Sequence, residues 1–206
     1  MQGVDAIFYI VILIMSVVIH EVSHGFVAEY FGDDTARNAG RLTLNPIPHL
    51  DIFGSILLPA VLVLTGSPFL FGWAKPVPYN PNNLSNRKWG TIAVAAAGIF
   101  ANLIIAIVFG IIIRLTIGMN FQTAFYTITS EIVIVNLALA IFNLVPIPPL
   151  DGSKILFSFF PDSISSKIFR YEQYSLILLL VFIIFFSNYL APIMAFLFHF
   201  ITGLAL

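Results

Sequence analysis

Residues 6–30 read AIFYIVILIMSVVIHEVSHGFVAEY, an apolar stretch that runs directly into HEVSH at 20–24 with no loop between. A helix crossing a bilayer needs about 20 mostly apolar residues, and this stretch supplies them. Its opening looks like a signal-peptide core, but no basic residue precedes it and no small-residue cleavage site follows. The segment is therefore expected to be a retained helix. Gly32 and the polar run DDTARNAGR end it.

The rest of the chain has the same character. Of 206 residues, 59% are hydrophobic, 21 are Phe, and only 9% carry charge; mean hydropathy is +0.99. An ordinary soluble domain is roughly 25% charged, and a globule of this size still needs a mixed or polar skin. The solvent implied is a lipid bilayer. A net charge of −1 without any basic run gives no case for nucleic acid. With no cysteine, disulfides, thiolate metal sites and thiol nucleophiles are excluded, so any metal must be held by His and carboxylate.

Further spans are expected at about 91–113, 125–145 and 174–200, the last interrupted at SNYLAP. Residues 52–65 are apolar but short, with Gly54 and Pro59 inside, which fits a re-entrant segment better than a crossing. Residues 67–89 are rich in Pro, Gly and Asn and read as an extended or β-hairpin loop at the interface. The expected fold is all-α and polytopic, with four to five transmembrane helices plus these two features, in one domain over 1–206.

Basic residues decide between topologies. If 52–65 re-enters, one side holds Arg37, Arg41, Lys75, Arg87, Lys88, Lys154, Lys167 and Arg170, and the other holds only Arg114. That asymmetry is expected to put the end of the first helix and the PIPPLDG loop (146–152) on the cytoplasmic side, and the expected location is the cell membrane.

Ionisable groups inside an apolar helix are costly and are functional candidates by default. At about 100° per residue, His20 and His24 lie one turn apart on one face, with Glu21 beside them. Two such imidazoles can bind one zinc ion while the adjacent carboxylate serves as general base. A catalytic zinc usually takes a third protein ligand. Among the candidates, Glu131 lies toward the wrong end of its helix. His199 sits in FLFHFI, where a packing or interface role is more usual. His49 and Asp51 in NPIPHLD could ligate or brace the site. Asp151 is the strongest, because Pro146, Pro148 and Pro149 break the helix just before it. Such irregular backbone at membrane depth is tolerated only against protein or a water-filled cavity. A plain helix-capping role for Asp151 is the alternative.

These residues resemble the site-2 proteases, polytopic intramembrane zinc metalloproteases, in the compact prokaryotic branch without a PDZ domain. The resemblance rests on HEVSH, GRLTLNPIPHLDIFGSILLP, FGWAKPVPYNP, AAGIFANL and FNLVPIPPLDG, and covers residues 20 to about 155. It implies that His20, His24 and Asp151 hold one zinc ion per chain. It also implies that Glu21 is general base and then acid, and that Asn143 contacts the substrate or its polarised carbonyl. The implied substrate is a single-span membrane protein cut within or near its transmembrane segment. The chain departs from the family at Gly98-Ile99, where Pro often follows the Gly, and at Asp51-Ile52, where Pro often follows the Asp. Residues 67–83 are the candidate edge for receiving an unwound substrate, with 52–66 as a gate, and Ser23, Asn45 and Asn143 are candidates for lining a water channel. The rival reading is a divalent metal-ion transporter, since intramembrane His and Asp also build permeation sites. Transporters tend to show repeated halves, which this sequence lacks. Oligomeric state is not legible.

Overall fold

The computed structural model describes residues 3–57, 61, 64, 73–119, 121–161 and 174–205. It is all-α: α1 is Gly3–Tyr30, α2 Thr35–Asn38, α3 Arg87–Thr116, α4 Thr123–Leu144, α5 Asp151–Phe157 and α6 Ser175–Thr202. Short 3₁₀ and π turns occupy Ile47–His49 and Ile52–Leu57. Among the described residues, three helices are long and apolar enough to cross a membrane, or four if the bent α6 counts as one span. That is the low end of the expected range. The α6 bend of 69° falls between Phe186 and Tyr189. Pro192 lies inside the helix, and a proline cannot bond to the carbonyl four residues earlier, which here is position 188.

α3 starts earlier than the apolar run suggests, because Asn86 caps it: its side chain accepts from the Trp89 amide at 3.0 Å. It continues through Arg114 to Thr116, so the turn before α4 is shorter than expected. At 30 residues and 1.5 Å per residue, α3 is about 45 Å long. It is the central post, packed against α1, α4, α5 and α6. Ala106, Ile113, Val133, Leu137 and Phe198 form the core where α3, α4 and α6 meet.

The distribution of polarity is inverted relative to a soluble protein. Phe100, Ile104, Ile107 and Ile111 of α3 face outward, whereas Ser16, Asn102 and Asn136 are buried. An apolar exterior with polar groups satisfied inside is what lipid as solvent requires.

The segment after α2 leaves and returns at one place. The Trp73 amide donates to Gly54 O at 3.1 Å, and Ser55 Oγ donates to Trp73 O at 2.8 Å. A crossing would instead separate its ends by about 30 Å. Most of the expected re-entrant stretch beyond Leu57, and residues 67–72 of the expected loop, lie outside the described residues.

Residues 73–80 have no regular secondary structure, and among the described residues no β-strand or hairpin forms. Pro76 and Pro78 remove alternate amide donors, so a ladder cannot be sustained. The segment is instead strapped across α1. Lys75 N donates to His49 O at 2.9 Å, and Arg41 Nη2 donates to Lys75 O at 2.7 Å. Asn80 N donates to Asp33 Oδ2 at 2.6 Å, and Asn83 Nδ2 to Asp33 Oδ1 at 2.8 Å. Burial alone would raise the Asp33 pKa, but these bonds and those from Thr35 outweigh it and hold the carboxyl below its usual range.

Candidate metal and catalytic site

The face of α1 that carries His20 and His24 turns inward toward α3 and α5. Both histidines are buried, and their rings meet edge to face with centroids 4.7 Å apart. His20 fits because position 98 is glycine: a Cβ there would lie 2.5 Å from its Cε1. Each Nδ1 has a partner on α3. His24 Nδ1 is 2.6 Å from the Val94 carbonyl, and His20 Nδ1 is 2.6 Å from Asn102 Oδ1.

Asp151 arrives from the far end of the chain. Pro146 stops α4, and a tight turn follows in which Leu150 N donates to Ile147 O at 2.9 Å. Gly152 then lets α5 start against the end of α4, since a Cβ there would fall 2.2 Å from Leu144 O. The glycine serves close approach and not backbone freedom. Asp151 is the first residue of α5, one past the N-cap position Leu150, and its oxygens face other side chains. Its Oδ2 lies 3.1 Å from Nε2 of His20 and 3.1 Å from Nε2 of His24. Oδ1 accepts from Lys154 Nζ at 3.0 Å.

These three atoms test the fit to a metal. A carbonyl only accepts, so His24 Nδ1 must carry hydrogen, and in the neutral ring Nε2 then holds a bare lone pair. Lone pairs converging on a carboxylate oxygen at this distance repel unless positive charge lies among them. Two imidazole nitrogens and a carboxylate oxygen form a common zinc donor set. Tetrahedral bonds of about 2.0 Å would put ligand atoms roughly 3.3 Å apart, close to the spacing seen. The residues fit zinc.

Glu21 projects beside this group; ligand-type atoms of His20, Glu21 and His24 all lie within 4.8 Å of one another. Its Oε2 accepts from the Val77 amide at 2.9 Å, a contact with the 73–80 strap that the sequence did not suggest. A cavity of about 610 Å³ opens onto the site, walled by Glu21, His24, Val77, Tyr79, Asn143 and Lys154 among others. Burial pushes the Tyr79 phenol above its usual range, so it contributes a neutral hydroxyl.

The other candidates stand outside the group of three donors, two of them in the wall of the same cavity. Asn143 is half-buried in the cavity wall, its Nδ2 donating to Leu139 O at 2.9 Å. His49 is buried in the same wall, its Nε2 donating to Thr43 O at 2.9 Å. Asp51 Oδ1 accepts from Gly54 N at 2.7 Å and caps the following turn. His199 Nδ1 donates to Leu204 O at 3.0 Å and closes the end of α6. Glu131 is not part of the cavity wall. Ser23 donates back to Ile19 O and Asn45 accepts from Ile47 N; neither lines the cavity.

Residues 110–187 match the sequence profile of Peptidase family M50. The chain is 39% identical over 180 residues to the "Putative zinc metalloprotease YwhC" of Bacillus subtilis (strain 168), covering 84% of this chain and 78% of that protein. It is 29% identical over 141 residues to the "Putative zinc metalloprotease Rip2" of Mycolicibacterium smegmatis (strain ATCC 700084 / mc(2)155). That match covers 68% of this chain and 52% of the relative, about half its length. No solved structure matches the chain. The chain belongs to peptidase family M50, the site-2 protease family of zinc metalloproteases.

Proposed function

We propose that this chain, as one transmembrane domain, hydrolyses a peptide bond within or near the transmembrane segment of a single-span membrane protein. It would use one zinc ion held by His20, His24 and Asp151. The observation that carries this reading is the convergence of those three donors beside Glu21, among apolar helices, on a cavity large enough for a peptide segment.

Zinc, when bound, supplies Lewis-acid chemistry: it makes water acidic enough to attack at neutral pH and polarises a carbonyl. The protein's own groups do the rest. Glu21 takes the proton of the attacking water and later delivers it to the leaving amine. The Val77 amide holds one carboxylate oxygen of Glu21 and so orients the other. Asn143 spends one amide hydrogen on Leu139 O and keeps a second for the developing oxyanion. A substrate helix shields its own amides and must unwind locally before attack. The 73–80 strap supports a receiving edge by strand addition. Since Lys75 and Val77 have already given their amides to His49 and Glu21, the strap would serve mainly through its carbonyls. The adjacency of Gly54 and Trp73, with the bias of basic residues, supports a cytoplasm-facing site in the cell membrane.

The test uses the purified chain in lipid with a single-span substrate. Cleavage should require zinc and fall about 10²–10⁴-fold in Glu21→Gln, with zinc still bound. Zinc flux across vesicles that survives Glu21→Gln would overturn the reading in favour of transport.

A further inference from the structure

We propose that Asn102 is a positioning residue for the metal centre, holding His20 in the tautomer that leaves Nε2 free to ligate. The proposal rests on the zinc-protease reading above and extends it to a buried amide network behind the site.

α3 and α4 each carry one fully buried asparagine, Asn102 and Asn136. Asn102 Nδ2 lies 3.3 Å from the Ser16 carbonyl and 2.7 Å from Asn136 Oδ1. A carbonyl accepts only, so this end of Asn102 must be the NH₂ group. Asn136 is oriented in the same way: its Nδ2 lies 2.9 Å from Ile132 O and 2.9 Å from Ser16 Oγ. Asn102 Oδ1 is therefore the atom facing His20 Nδ1 at 2.6 Å. Oxygen accepts there, so Nδ1 carries the hydrogen, and in the neutral ring Nε2, 3.1 Å from Asp151, is the bare nitrogen.

The two backbone carbonyls, of Ser16 on α1 and Ile132 on α4, thus set which nitrogen of the His20 ring carries hydrogen. A ligating histidine commonly gives its second N–H to such a partner, which sets tautomer and ring orientation. His24 obtains this from the Val94 carbonyl, whereas His20 depends on a side chain that can be removed. Buried amides are tolerable only when fully bonded, and this network meets that condition through α1, α3 and α4 at once.

The full-length chain, ¹⁵N-labelled at histidine and stripped of zinc, should show His20 as the Nδ1–H tautomer. In Asn102→Leu that signal should become mixed, and zinc affinity by chelator competition should fall roughly 10–100-fold. In Asn102→Asp the buried carboxyl, kept protonated by its apolar surroundings, can accept from Nδ1 through one oxygen and donate its O–H to Asn136 Oδ1. This variant should restore affinity to within about 3-fold of the unaltered chain. A merely space-filling role would predict the reverse order of the two variants. An Nε2–H tautomer in the unaltered zinc-free chain, or unchanged zinc affinity in Asn102→Leu, overturns the proposal. If Asn102→Leu does not fold, the tautomer in the unaltered chain still decides. Lack of zinc binding by the unaltered chain would overturn the underlying reading as well, whereas a mixed tautomer in the zinc-free form of a chain that does bind zinc overturns this proposal alone.

Discussion

Oδ2 of Asp151 lies 3.1 Å from Nε2 of His20, although 131 positions separate the two residues in the chain. Neither residue packs there for apolar burial, and the contact, together with that of His24 to the same oxygen, joins α1 to α5. Four consequences can be measured.

Asp151→Ala removes the third donor and leaves two imidazoles, too few for a catalytic zinc site. Loss of an outer-shell partner alone costs 10–100-fold in affinity, so loss of this group should cost more than about 100-fold. Chelator competition reads the affinity directly. Thermal unfolding with and without zinc reads it independently: the rise in Tm given by zinc to the unaltered chain should vanish in the variant.

Gly98→Ala places a methyl group 2.5 Å from the His20 ring. His20 cannot yield easily, because Asn102 and Asp151 hold its two nitrogens. The expected outcome is weakened zinc binding and lost cleavage with helical content by circular dichroism unchanged. Normal zinc affinity in this variant would show that the ring is not seated against α3.

Gly152→Ala meets backbone, not a side chain, at 2.2 Å. Overpacking of this kind costs about 1–3 kcal/mol, and here it must push α5 off the end of α4. Stability and metal binding should fall together, in contrast to Gly98→Ala, where metal binding falls first. Denaturation monitored alongside zinc titration separates the two cases.

Asp33 gives a pH prediction away from the metal. Its carboxyl is held below its ordinary value because bonds from Thr35, Asn80 and Asn83 outweigh the effect of burial. A depressed folded-state pKa contributes stability that is fully present above the unfolded value near 3.8. That contribution is lost as pH falls through the lower, folded-state value. Proteolysis of the strap between residues 73 and 86, followed from about pH 6 down to about pH 2, should accelerate only at the acid end. In Asp33→Asn the strap should be cut faster throughout, without that acid-side rise.

Much of this was legible in the chain because polar groups in apolar helices are conspicuous. HEVSH declared itself by interrupting a lipid-soluble run, and three prolines marked the turn that delivers Asp151. Asn102 and Asn136 escaped notice for the opposite reason. Each is a lone amide in a helix whose small neighbours suggest close packing, and nothing local indicates which ring it serves. The available signal was the cost of an amide at membrane depth, which applied to both. The β-hairpin expectation for 67–89 weighed the loop's composition but not the donors that Pro76 and Pro78 remove. The capping role considered for Asp151 followed from its place at a helix start. Only the long-range approach of α1 shows that its oxygens are committed elsewhere.

The distance along the chain between the two imidazoles and their aspartate bears on biogenesis. α1 is threaded into lipid while α3, α4 and α5 are still being synthesised, so it enters carrying a histidine pair with no counter-ligand. With the proposed ligand set, the enzyme would be inert during its own insertion, since no peptide could be cut until the late-made turn docks. On that reading, ripening of the centre and completion of the bundle would be a single event, and a truncated nascent chain would pose no hazard to its neighbours in the membrane.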